Sequence, residues 1–268
     1  MAALIDCRKL VVGYGGVPML PCIEVDIEPG VFCCVVGRNG SGKSTWFKTV
    51  LGLIPPVSGE VIHKPGLRIA YIPQRLAYDA IYPLTVREVV SMGLLKAGGF
   101  LGIPRIRDGE IQPALESVDA WKLRAQIFHS LSEGQKQRVL FARALVADPE
   151  VAFMDEPTAA MDVVAQREML MLVDCIRRER KMAVVMVNHE LSVATHYAEQ
   201  VFLVDRTTNV VVSGTAREVF SSPTFAELYG QEKANDLMKE LEHVECDLRT
   251  AEHKGHTHDH DHDHGSHA

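Results

Sequence analysis

No stretch of this sequence is apolar for long enough to cross a bilayer. The longest hydrophobic runs, VFCCVV and MAVVMV, fall far short of the roughly 18 to 20 residues a spanning helix needs. The N-terminus carries no cleavable leader pattern, so any membrane role is expected to come through a partner. Basic surplus is also missing: 28 Lys and Arg stand against 35 Asp and Glu, giving a net charge of −7. That balance excludes nucleic acid as the default partner, because phosphate-backbone binding relies on excess positive charge. There is no C-x-x-C pair among the six cysteines, and Cys33 and Cys34 lie inside an apolar run. The expectation is reduced, buried thiols in a cytoplasmic protein. Internal repeats are absent, and the one low-complexity segment is the C-terminal tail.

What is present begins with enough apolar residues, 47% of 268, to bury a sizeable core. Three short runs, VFCCVV (31–36), VAFM (151–154) and AVVMV (183–187), have the length of doubly covered parallel strands. Each is followed at once by polar residues. This is the layout of an open α/β sheet, in which ligands gather at the carboxyl ends of the strands. Between the first two runs the cues are mostly helical, with Thr85 and Glu88 at capping-box spacing, which predicts a separate helical lobe. The charged stretch after Pro223 predicts one or two exposed helices.

GRNGSGKST matches the phosphate-loop pattern G-x-x-x-x-G-K-[ST] from Gly37 to Ser44, directly after a predicted strand. Gly37, Arg38, Asn39, Gly40, Ser41, Gly42 and Thr45 are therefore candidates to surround a nucleotide. Lys43 would reach the β- and γ-phosphates, and Ser44 would ligate Mg²⁺. Asp155 and Glu156 sit at the tip of the second buried run, suited respectively to the Mg²⁺ shell and to polarising an attacking water. In LSEGQKQRVL, Ser132 and Gln135 have N-cap spacing and Gly134 permits close approach. The start of that helix is a second candidate anion site.

A phosphate loop combined with this second helix start resembles the ATP-binding cassette (ABC) family, whose usual pattern there is L-S-G-G-Q. Glu133 replaces a glycine of that pattern, and Ala159 stands where serine is common. The resemblance spans about residues 4 to 220. It implies an α/β fold of the phosphate-loop NTPase type, with a mostly parallel core sheet, an antiparallel β subdomain and a helical subdomain. The implied organisation is a nucleotide-binding domain over 1–222 with its helical part near 78–147, a helical extension over 223–252 and a flexible His/Asp-rich tail over 253–268. It further implies that Gln74 joins the metal site to the helical lobe, Asp162 lies in a subunit-crossing loop, and His189 is a switch histidine at the γ-phosphate. Tyr14 would stack on adenine, and Ser132 and Gly134 would complete the nucleotide site of a second copy in a homodimer.

A single phosphate loop, with only about 90 residues between it and the second helix start, resembles the separate ATPase subunit of a transporter. The segment YPLTVREVVSMGLL (82–95) looks like the corresponding part of zinc- and manganese-importer ATPases. Seven of the twelve histidines fall in the last sixteen residues, where His256, His258, His260, His262 and His264 alternate with aspartates. Imidazole with carboxylate suits Zn²⁺ or Ni²⁺. The expectation is an ATPase at the cytoplasmic face of the plasma membrane, bound to a permease and served by a periplasmic or surface metal-binding protein. An ABC ATPase for another substrate or for export, and a cytosolic one without a permease, stay open as alternatives.

Overall fold

The computed structural model describes residues 2–74, 83–95, 107–159 and 161–255. Its centre is a six-stranded sheet built from β5 (Phe32–Val36), β7 (Ile69–Ile72), β8 (Val151–Asp155), β9 (Ala183–Val187), β10 (Gln200–Asp205) and β11 (Val210–Gly214), in the spatial order β11-β10-β5-β9-β8-β7. All neighbours are parallel except β10 and β11. The three apolar runs are therefore side by side at the middle of the sheet. Residues of β5, β8 and β9 are buried throughout, since both faces are covered. Side chains alternate between two cores: Phe32, Cys34 and Val36 join one, and Cys33 and Val35 the other.

The second core is closed by an antiparallel sheet of β1 (Ile5–Val11), β4 (Ile23–Ile27) and β6 (Ser58–His63), in the order β4-β1-β6. A two-stranded ribbon, β2 (Gly13–Tyr14) with β3 (Val17–Pro18), rises from it. Helix α1 (Lys43–Val50) buries Trp46 and Phe47 in that core, and Trp46 lies 4.7 Å from the Phe202 ring. The first core takes in the helical lobe of α2 (Val86–Ser91), α3 (Asp108–Ser117) and α4 (Glu133–Leu145), whose buried Val89, Leu115 and Phe141 join it. Trp121 packs against the same core with the Arg124 guanidinium 4.5 Å above its ring. Thr85 and Glu88 form the expected capping box at the start of α2.

Two expectations are corrected here. The chain after Pro223 does form two helices, α8 (Pro223–Tyr229) and α9 (Gln231–Gly255), but they are not simply exposed. Phe225, Ala234, Leu237 and Leu241 are buried, and α9 lies along α6 (Leu191–Tyr197), with α7 (Ala216–Phe220) also beside it. The spacing of 234, 237 and 241 puts one apolar stripe against the domain. Likewise Cys7, Cys33 and Cys34 are buried, but Cys22, Cys175 and Cys246 are exposed. Burial pushes the Cys33 thiol up to about 12, so it is an unreactive core residue. Among the described residues no helix is long and apolar enough to cross a membrane.

Candidate active site

The phosphate loop lies between β5 and α1, at the carboxyl end of the central strand. Gly37 is dictated by close approach: a Cβ there would meet the Val204 carbonyl oxygen at 2.2 Å and Ser41 Oγ at 2.6 Å. Gly42, at φ 104°, opens α1 in the left-handed region, with the Leu20 side chain where a Cβ would go. Lys43 Nζ donates to the Gly37 and Arg38 carbonyls at 2.8 and 2.9 Å, which curls the loop around its own ammonium. Burial lowers the Lys43 pKa, while the carboxylates of Glu156, Asp155 and Asp205 act in the opposite sense. A small cleft of about 170 Å³ is lined by Met19, residues 39 to 45 and Glu156. Ser41 Oγ is buried with no protein partner. A buried hydroxyl, an ammonium and the positive end of a helix in one cleft fit a phosphate group.

Arg38 is held differently from its neighbours in the loop. Its guanidinium makes a forked pair with Asp205, at 3.2 and 3.1 Å, and Asp205 also accepts from the Thr208 amide and hydroxyl. Burial pushes the Asp205 carboxyl up, but the Arg38 and Thr208 bonds outweigh it and hold it below the usual range. Arg38 thus contributes its backbone to the loop, and its side chain ties the loop to the end of β10. Asp205 went unnoticed in the sequence, although QVFLVD repeats the VAFMD pattern of an apolar run closed by an acid. Met19 gave no signal; it reaches the cleft because the β2–β3 ribbon returns the chain there, where Thr45 Oγ1 donates to its sulfur at 3.7 Å.

Asp155 and Glu156 separate in role as soon as β8 ends. Asp155 is buried, and burial raises its pKa, reinforced by the neighbouring Glu156 and partly offset by Lys43, Lys48 and His189. Glu156 takes φ 48°, a left-handed conformation that costs a non-glycine residue on the order of 1–3 kcal/mol. Its amide donates to the Val187 carbonyl at 3.1 Å, which ties the turn to the end of β9. The turn aims the carboxylate at two partners: Oε2 accepts from Gln74 Nε2 at 2.6 Å, and Oε1 is in contact with His189 Nε2. Gln74 follows β7 and His189 follows β9. Three strand tips therefore converge on one carboxyl group, and the side-chain amide of Gln74 donates to Glu156.

Ser132 and Gln135 form a capping box at the start of α4, with bonds of 3.1 and 3.3 Å. The departure at Glu133 is neutralised locally: its carboxylate accepts from Lys136 Nζ at 2.7 Å. Asp162 caps α5 (Val163–Arg180) by accepting from the Ala165 amide at 2.9 Å. Gly134 faces Ala165, where a Cβ would be 3.9 Å from the alanine's own. Ser132, Gly134 and Gln135 do not line the phosphate-loop cleft of the same chain. Tyr14 is half exposed on β2, at the ribbon that leads back to Met19. The histidines 256 to 264 lie outside the described residues. Among the described residues, no group of three His, Cys, Asp or Glu could hold a metal ion.

Known proteins are similar to this chain in sequence and fold. The family model described as "ABC transporter" matches residues 20–159. A zinc import ATP-binding protein, ZnuC of Yersinia enterocolitica, is 37% identical over 237 residues, covering 88% of this chain and 89% of its own. A metal-chelate type ABC transporter solved in an inward-facing conformation superposes with TM-score 0.77 at 26% identity, over 85% of this chain and 89% of that one. A nucleotide-free ATP-binding cassette from an ABC transporter gives TM-score 0.74 at 20% identity, over 85% and 99%, a likeness of fold. The chain belongs to the ABC transporter family, as an ATPase subunit homologous to the ZnuC-like zinc import ATP-binding proteins.

Proposed function

We propose that this protein hydrolyses ATP to drive a membrane permease that imports a divalent metal ion, with zinc as the leading substrate and manganese next. The observation that carries the hydrolytic part is the doubly held Glu156: one carboxylate oxygen on Gln74, the other on His189. A carboxylate fixed at both oxygens keeps one orientation, which is what a group aligning a water for in-line attack requires. Lys43 and the loop amides would hold the phosphates, and His189 would meet the γ-phosphate. Ser44 and Asp155 are the residues that would hold Mg²⁺, which supplies charge neutralisation on the phosphate oxygens. Tyr14 would take the adenine.

The incomplete surroundings of the loop cleft support a homodimer, in which Ser132, Gly134 and Gln135 of one copy cover the phosphates bound by the other and Asp162 crosses between them. The metal substrate is supported by the zinc import relatives, and the capped helix α2 within 82–95 is the segment that would face the permease. Such a subunit would sit at the cytoplasmic face of the plasma membrane and depend on an external metal-binding protein.

The test is ATPase activity of the protein reconstituted with its permease in vesicles, with Zn²⁺, Mn²⁺ and a chelated metal supplied on the side opposite the cassettes. Stimulation by Zn²⁺ or Mn²⁺ with uptake is the expected result. Stimulation by the chelate alone would replace the free ion as substrate, and hydrolysis indifferent to the permease would remove the transport reading.

A further inference from the structure

Helix α5 begins at the Asp162 turn, and α6 begins at the turn carrying His189. Gln166, in the first turns of α5, is 8% exposed, and its Nε2 donates to Glu190 Oε2 at 2.6 Å. Glu190 directly follows His189. It occupies the N-cap position of α6, yet its side chain makes no cap hydrogen bond. An acidic side chain at a helix start ordinarily turns back to the first-turn amides, a contact worth on the order of 1 kcal/mol. Here that contact is forgone for the amide of Gln166. The backbone on either side is fixed as well: the Glu190 amide donates to Asn188 Oδ1 at 2.9 Å, and the Gln166 amide donates to the Asp162 carbonyl at 2.9 Å. Gln166 and Glu190 lie on the wall of an open groove between α5, α6 and α9.

We propose that Gln166 is a positioning residue that couples the Asp162 turn to the His189 turn and so keeps the histidine on Glu156. The route is short and wholly within one chain: Asp162 to Gln166 by backbone, Gln166 to Glu190 by side chains, and Glu190 to His189 by one peptide bond. It touches neither phosphate loop nor metal ligand. Nucleotide affinity should therefore be insensitive to it, while turnover should not be. The proposal rests on the ATPase reading above.

Gln166→Met keeps the volume and removes the donor. In the full-length protein, kcat is expected to fall about tenfold, the loss of one hydrogen bond to a charged group, with the MgATP dissociation constant unchanged. Exchange of the pair supplies the decisive arm. Gln166→Glu alone sets two carboxylates against each other and should be as slow or slower, and Glu190→Gln alone should be slow; the double variant Gln166→Glu, Glu190→Gln restores an amide–carboxylate bond and should recover most of the wild-type kcat. Failure of the double variant to exceed the singles, or a Gln166→Met enzyme with wild-type kcat, overturns the coupling. Absence of hydrolysis in the wild type would instead overturn the ATPase reading, so the two failures are separable.

Discussion

His189 Nε2 and Glu156 Oε1 are in direct contact, although 33 positions separate them and each lies just past the end of a different buried strand. The contact exists because β8 and β9 run parallel and in register, with Asp155 opposite Val187, so that both chains leave the sheet at the same edge. The site is a property of the sheet's carboxyl edge.

That edge predicts how Glu156→Gln behaves. The amide keeps the size and its contact with Gln74 or His189 but is no base, so kcat should fall at least about 100-fold, the lower end of general-base contributions. MgATP binding should persist, and trapped ATP should hold a dimer visible by sedimentation. Wild-type turnover in this variant would remove the assignment.

Lys43→Ala deletes both loop-curling bonds and the ammonium. Its MgATP dissociation constant should rise at least about tenfold, the scale of one lost charge-assisted hydrogen bond. Calorimetry measures it directly, and equal affinities would return the loop to a structural turn.

Stability against pH is expected to depend on Asp155. Burial raises its folded pKa above the unfolded value, which is about 3.9. Its charged form is thus penalised in the fold; the penalty is complete above the folded pKa, shrinks as pH falls through it, and vanishes below the unfolded one. Asp155→Asn should therefore raise the Tm of the protein without nucleotide and Mg²⁺ by a few degrees at pH 7, and the gain should fade as pH approaches about 4. A gain that grows with acid would contradict the burial argument. The same variant should lose the Mg²⁺ dependence of nucleotide binding.

The tail can be tested by deleting residues 253 to 268. Every group placed in the nucleotide site lies before it, so basal ATPase activity should be spared, while most Zn²⁺ or Ni²⁺ binding is lost. Imidazoles bind metal only when neutral, and since an unperturbed imidazole titrates near 6.5, the full-length protein should release bound metal as pH falls through about 6. Equal metal stoichiometry in the two proteins, by calorimetry, would make the tail a solvated end.

The sequence by itself determined the local chemistry. Uniformly apolar runs specify doubly covered strands, the glycine and lysine spacing specifies a phosphate loop, and S-x-x-Q and T-x-x-E specify capped helix starts, because each of these depends on neighbours within a few residues. The order of motifs along the chain then carried the family. Tertiary structure alone decided which of those pieces touch: that Gln74 and His189 divide the two oxygens of Glu156, that Arg38 is tied back to Asp205, and that Gln166 takes the carboxylate of Glu190. The strands β7 and β10, less conspicuous in the sequence, position two of those partners, Gln74 just after β7 and Asp205 at the end of β10. Side-chain pairing across 24 to 167 positions is fixed by how the elements are ordered and registered in space, and neither is encoded in any local window of sequence.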